Sequence, residues 1–287
     1  MGGAACLMTS GNAQRRFAKY ELLDAERVNQ AARDESFNSM FVGPDETGLD
    51  GIFLFKHLPT EAGRALTSAL TKVTPRILDW PQFLSAAVTT LKRKYYGKDK
   101  VPRFVPDYTK CVDHFLLHAG GYGVLKGIQQ GMRLPAEKMM PSFANLSRFG
   151  NTSSATTWYA WTYLESTTGV KKGDRLLQAG VGGGMKACVV IWRAVRDVRD
   201  PHRAWAHLGG VPCTEADLPR PITVTGTLTG LDEDGRPAAA AKGKGDSGRG
   251  EGATAGEKAP AAAEPAVAST TAAQRPESPK TPGRVVT

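Results

Sequence analysis

Apolar and polar positions along the chain change period several times, and each change marks an element. Residues 2–9 are small and apolar, which predicts a short buried strand. Lys19 to Asn29 alternates only in part and fits strand or helix; Phe37 to Val42 and Gly51 to Phe55 read as strands around the turn Gly43 to Gly48. From Pro59 the period becomes helical: Ala62, Leu66, Ala69, Leu70 and Val73 share one face, Thr60 is placed as a cap, and Pro75 is expected to end the helix. Asp79 to Leu91 repeats the pattern with Phe83, Leu84, Ala87, Val88 and Leu91, then runs into a basic loop at 92–106.

From Asp107 the pattern is that of an α/β unit. Helical turns over 107–113 precede a strand at Phe115 to His118 and a helix over Gly123 to Gln130. Further helices are predicted over Pro135 to Leu146 and Thr152 to Thr167. Leu176 to Val181 and Met185 to Arg193 flank a glycine turn and read as a hairpin. Trp205 is the last aromatic residue. Beyond it, 222–231 could add a marginal strand, and the remaining Ala/Pro/Gly-rich sequence cannot bury enough to offset its ordering entropy. The expected organisation is a folded region at 1–210 and a disordered, low-complexity tail at 211–287.

The 287-residue chain has a formal charge of +9, all of it within residues 1–200. A basic body with a neutral tail fits an anionic ligand or surface. The densest patch, Lys92-Arg93-Lys94 with Lys98, Lys100 and Arg103, reads either as a solvated linker or as a contact for phosphates or anionic lipid. No finger, zipper or RNA-binding signature accompanies the charge, so nucleic acid is not an expected partner. Cys6, Cys111, Cys188 and Cys213 lack the spacing of a zinc site or disulfide framework. No run of about 18 apolar residues occurs to span a membrane.

Three glycine-cut turns between apolar segments hold the candidate chemistry. His118 ends an apolar run before Ala119-Gly120-Gly121, and Asn151 follows Gly150 in RFGNTSS. Each has a plain structural reading, His118 as a strand-end side chain satisfied by a neighbour and Asn151 as a helix cap. Together they could present two N–H donors to one oxygen, the arrangement that stabilises the enolate left when a malonyl thioester loses carbon dioxide. His114 would pair with His118 at i,i+4 if the segment were helical, but no third ligand offers metal spacing, so no metal is expected. Gly120, Gly121, Gly150 and the run Gly182, Gly183, Gly184 read as backbone packed close to a substrate channel.

Three ordered blocks, DHFLLHAGG (113–121), RFGNTSS with WYAWTYLE (148–165) and KKGDRLLQAGVGGGMKACVVIW (171–192), resemble the plant-type 3-ketoacyl-CoA synthases. These are the condensing enzymes of very-long-chain fatty acid elongation, related to chalcone synthases in the thiolase superfamily. The resemblance implies an α/β fold, the C-terminal half of a thiolase-like α-β-α-β-α layered structure with a mixed sheet and covering helices. It implies acyltransfer from a long-chain acyl-CoA to a Cys, and decarboxylative Claisen condensation with malonyl-CoA to give a 3-oxoacyl-CoA. His118 and Asn151 fall on the family's His and Asn, and His114 also matches. CoA thioesters are then the substrates, with no bound cofactor. The family context adds a homodimer, elongase reductase and dehydratase partners, and the endoplasmic reticulum membrane.

Departures qualify the resemblance. The family's nucleophilic Cys and membrane spans lie upstream of the segment that looks like MGGAA, with which this chain opens. Asn29 and Ser147 stand where the family often has His. The chain is therefore expected to resemble only the C-terminal half, with Met1 an internal methionine of a longer reading frame or the start of a degenerate partial gene product. The alternatives are a non-catalytic thiolase-like scaffold and a type III polyketide synthase-like condensation. One outcome is directly testable: the purified 287-residue chain forms no 3-oxoacyl product from malonyl-CoA and a long-chain acyl-CoA, and robust product formation would defeat the expectation of a missing nucleophile.

Overall fold

The computed structural model describes residues 2–44, 47–55 and 57–219. The expected tail beyond 219, including the strand at 222–231, lies outside the described residues. In chain order the elements are β1 Tyr20–Asn29, α1 Asp34–Phe37, β2 Met40–Pro44, β3 Asp50–Leu54, α2 Leu58–Ile77 and α3 Trp80–Tyr96. They continue with β4 His114–Leu117, α4 Tyr122–Met132, α5 Ala136–Phe149, α6 Thr156–Ser166, β5 Arg175–Gly182 and β6 Lys186–Ala194.

One four-stranded mixed sheet, in the order β1-β6-β5-β4, is the framework. β5 and β6 form the expected antiparallel hairpin, β1 runs antiparallel to β6 with an irregularity between Leu22 and Asp24, and β4 is parallel to β5. Alternation along the strands divides the core. Phe115, Leu117, Leu177, Ala179, Val189 and Ile191 face α2, which meets them with Ala65, Leu66, Ala69, Leu70 and Val73. Leu116, Leu176 and Trp192 turn to the other face and pack with α6. Helix α5 contributes to both, Met139 and Phe143 to the first cluster and Met140 and Ala144 to the second.

Buried polar bonds fix the registry between layers. Gln178 on β5 donates to the Thr157 hydroxyl at 2.9 Å and accepts from the Trp192 indole at 3.0 Å, pinning α6 to the sheet. β4 is an edge strand, and its Leu117 N–H is satisfied by Ser142 of α5 at 3.0 Å. Lys19, before β1, bridges Glu165 at the end of α6 (2.9 Å) and Asp200 after β6 (2.7 Å). Past β6 the chain crosses α6 and inserts Trp205, whose ring lies edge-on to Phe149 and Tyr163 and whose indole donates to the Tyr159 carbonyl and the Thr162 hydroxyl.

Several expectations are corrected. The α/β elements run through the described region, from the turn at Asn12–Arg16 to that at Glu215–Asp217, and do not constitute only a C-terminal half. The mixed sheet with covering helices is present, and β2 and β3 make a separate two-stranded hairpin with Val42, Ile52 and Leu54 in solvent. Residues 2–9 are not a buried strand: no sheet edge pairs with them, and Leu7 and Met8 are exposed. Pro75 does not end α2, because within the last turn its missing N–H removes only one bond and the helix runs on to Ile77. α3 likewise continues through the basic cluster to Tyr96, its start capped by Asp79 accepting from the Gln82 N–H. No helix among the described residues is long and apolar enough to cross a membrane.

Trp205→Ala is expected to cost ~3–5 kcal/mol, the usual range for removing a buried aromatic side chain, whereas Trp80→Ala, at an exposed position, stays within ~0.5 kcal/mol. Chemical denaturation measures both. A loss below about 1 kcal/mol at Trp205 would show that the segment after β6 does not close the α6 layer.

Candidate functional site

Parallel pairing of β4 with β5 places the end of β4 at a defined point. The ladder runs from His114 opposite Leu176 to Leu117 opposite Ala179, and the His118 N–H closes it by donating to the Ala179 carbonyl at 2.9 Å. The chain then turns through Ala119-Gly120-Gly121 into α4. His118 lies on the same face of β4 as Leu116 and meets the first turn of α6, where its Nδ1 is 3.4 Å from the Thr156 hydroxyl. A Cβ on Gly120 would approach the imidazole to 3.2–3.3 Å, so glycine leaves the ring the room it occupies.

Asn151 reaches the same turn from α5. Gly150 ends that helix with φ 68° and ψ −157°, a conformation essentially reserved for glycine, and directs the chain back across the carboxyl end of β4. The Asn151 side chain then accepts from the Ser153 N–H at 2.8 Å and donates to the Gly120 carbonyl at 3.3 Å. His118 and Asn151 thus flank one residue, Gly120. Asn151 is an internal tie between two loops and not a cap bonded to α6, and it is exposed where His118 is largely enclosed.

The hydroxyl of Thr156 holds the imidazole against α6. It donates to the Ser153 carbonyl and lies 3.4 Å from the ring's Nδ1, a contact the neutral imidazole can make. Burial lowers the His118 pKa and favours this neutral form. The Thr156 carbonyl in turn accepts from buried Asn145 at 3.1 Å, anchoring the start of α6 on α5. Sequence reading missed both Thr156 and Asn145. Their spacing from Asn151 is ordinary for helical residues, and only the packing shows that they support the histidine.

The other candidates lie elsewhere. His114 begins β4 and is not in a helix; along a strand, four residues separate it from His118 by roughly 13 Å, so the i,i+4 pairing does not exist. Its Nε2 contacts Asp174 at 2.8 Å, and Asp174 also accepts from the Lys171 N–H, making His114 a clamp on the KKGD turn. Gly121 opens α4 in extended conformation. Gly182, Gly183 and Gly184 sit at the same end of the sheet, but Gly183 backs onto Met40 and Gly184 onto Ala31. No group of three metal-ligating side chains converges among the described residues. Burial pushes the Cys111 and Cys188 thiols up, away from the thiolate a nucleophile requires.

A second concave feature went unread in the sequence. An apolar groove of about 920 Å³ runs between α2, α3 and α4, lined by side chains including Leu66, Leu70, Phe83, Leu91, Val124 and Ile128.

Comparison with known proteins bears on this arrangement. Residues 1–95 match the FAE1/Type III polyketide synthase-like protein family, and residues 109–194 match the 3-oxoacyl-(acyl-carrier-protein) synthase III C terminal. The chain is 38% identical over 198 residues to 3-ketoacyl-CoA synthase 11 of Arabidopsis thaliana, covering 69% of this chain and 39% of that protein. The similarity is to plant 3-ketoacyl-CoA synthases. A second Arabidopsis thaliana relative, 3-ketoacyl-CoA synthase 8, is 35% identical over 199 residues, 69% of this chain and 41% of its own. A crystal structure of a fungal type III polyketide synthase is similar with a TM-score of 0.44 and 20% identity, over 62% of this chain and 41% of that one. The expectation that the resemblance is confined to a C-terminal half is corrected: the match at 1–95 is followed by that at 109–194, and the similarity begins at the first residue and spans about two thirds of the chain. The chain spans about two fifths of the length of the curated relatives it matches.

The lowered His118 pKa has a defined signature. An unfolded histidine takes up its proton near pH 6.5, before the folded ring does, so this contribution to stability is full above about 6.5 and is lost as pH falls towards the folded pKa. An NMR titration assigned by loss of the signal in His118→Gln is expected to place the folded midpoint below about 6.5. A midpoint at or above that value would show the ring is not held against α6.

Proposed function

We propose that this chain carries the oxyanion-stabilising part of a condensing site that joins malonyl-CoA to a long-chain acyl group, giving a 3-oxoacyl-CoA in fatty acid elongation. The observation that supports this most is the meeting of His118 and Asn151 at Gly120, inside two of the blocks homologous to 3-ketoacyl-CoA synthases.

In this reading an acyl group is held as a thioester on a cysteine. His118 Nε2, carrying the lone pair, takes the thiol proton and leaves a thiolate to attack the acyl-CoA; the acyl C–S bond to CoA breaks, and CoA leaves as a thiolate that takes a proton from water. Malonyl-CoA then loses carbon dioxide, and its C–C bonding pair becomes an acetyl-CoA enolate. The protonated His118 Nε2–H and an amide N–H of Asn151 donate to the enolate oxygen. The enolate carbon attacks the acyl thioester, the C–S bond breaks, and the thiolate leaves a product two carbons longer. Burial of His118 favours return of the proton once the anion is gone.

CoA phosphates fit the basic folded region, and the proposal extends to a homodimeric enzyme acting with reductase and dehydratase partners at the endoplasmic reticulum membrane. One observation favours the alternative of a non-catalytic scaffold domain: no cysteine among the described residues hydrogen-bonds His118, and burial raises the thiols of Cys111 and Cys188.

The test is made in the complete protein that contains the nucleophilic cysteine. Asn151→Asp keeps the acceptor for the Ser153 N–H but replaces the N–H donor by a carboxylate oxygen. It is expected to lower turnover by about 10²–10³-fold, as removal of an oxyanion donor does, and His118→Ala by at least as much. Thermal midpoints stay close to the parent. Turnover within tenfold of the parent in both variants would remove the pair from the mechanism and leave the scaffold reading.

A further inference from the structure

Helix α3 is mounted with its amphipathicity reversed. Gln82 is its only buried residue, and that side chain joins the helix to the body by donating to the Asp107 carbonyl at 3.1 Å and accepting from the Asp107 N–H at 2.7 Å. Arg93, near the other end, donates to the Val101 carbonyl. Attachment is thus through the polar side, and the apolar stripe is turned outward. Trp80, Leu84, Val88, Leu91 and Tyr95 follow one another at helical spacing, and their exposures are 69%, 47%, 49%, 68% and 82%. Of this stripe only Leu91 lines the groove against α2, whose α3 wall is otherwise Phe83, Ala86, Ala87, Thr90 and Lys94.

Water alone does not account for such a face, since contiguous exposed apolar surface of this kind marks an interaction site. Charge selects the partner. Lys92, Lys94, Lys98 and Lys100 crowd the carboxyl end of the helix and the loop after it, and form no ion pair among the described residues. A second copy carries the same +9, so net repulsion opposes the close approach of two such faces. An anionic bilayer surface satisfies both features: its acyl boundary takes the aliphatic stripe and its headgroups neutralise the lysines. Trp80 at one end and Tyr95 and Tyr96 at the other supply the aromatic side chains that settle at headgroup level. Seventeen residues make a rod of about 25 Å, suited to lying in the interface and not to crossing it.

We propose that α3 and the following lysine-rich loop dock this protein on the surface of an anionic membrane, with the apolar stripe immersed in the headgroup–acyl boundary and the lysines on the phosphates.

Sedimentation of the purified 287-residue chain with lipid vesicles tests this, comparing phosphatidylcholine alone with phosphatidylcholine containing phosphatidylserine. Binding is expected to be stronger to the phosphatidylserine vesicles by at least about tenfold, and to fall with added salt. Leu84→Ser combined with Val88→Ser and Leu91→Ser, and separately the glutamine substitution of Lys92, Lys94, Lys98 and Lys100, should each lower it by at least about tenfold. All seven side chains are exposed, so circular dichroism and the thermal midpoint are expected to match the parent. No binding to either vesicle, equal binding to both, or parent-like binding by either variant would overturn the proposal. So would self-association that the serine variant abolishes in the absence of any vesicle binding.

Discussion

Parallel pairing of β4 with β5 is the constraint from which the rest of the arrangement follows. Two parallel neighbours cannot be joined by a tight turn, so the chain must leave the end of β4, cross the sheet and return to the start of β5. The crossover here consists of α4, α5 and α6, and the loop between α5 and α6 passes back over the carboxyl end of β4. That passage brings Asn151 to Gly120 and lays Thr156 beside His118. Carboxyl ends of parallel strands are where α/β folds commonly collect their polar chemistry, because the strands stop there while the helices begin. β4 can hold this position as an edge strand because Ser142 satisfies its outward N–H at Leu117.

The candidate site is held by hydrogen bonds to backbone more than by packing. Asn151 spends its carbonyl oxygen on Ser153 and an N–H on Gly120, leaving its other amide hydrogen without a partner among the described residues. His118 is oriented by one hydroxyl whose own proton is committed to the Ser153 carbonyl.

A polar attachment carries α3, whereas burial holds the other long helices. α2 buries Ala65, Leu66, Ala69, Leu70 and Val73 against the sheet, as its sequence pattern requires. α3 has an equally regular apolar stripe, and the fold leaves that stripe outside. The same periodicity therefore has opposite outcomes in adjacent helices, because the sheet face available to both is already covered by α2. The bond pair between Gln82 and Asp107 fixes which way the second helix turns.

By itself the sequence determined the succession of elements from β2 to β6, since hydrophobic period, proline and glycine act over a few residues and need no knowledge of distant neighbours. It also singled out His118 and Asn151, through glycine-cut turns and the resemblance of three blocks to a known family. Strand or helix at Tyr20 to Asn29 was open until β6 supplied an edge, and residues 2–9 had strand-like composition with no edge to join. His114 illustrates the same limit: its distance from His118 depends on whether four residues rise about 6 Å in a helix or about 13 Å in a strand. Only the tertiary structure decided the contact of His118 with Thr156, the tie through Gly120 and the outward face of α3, because each rests on a hydrogen bond between residues far apart in the chain.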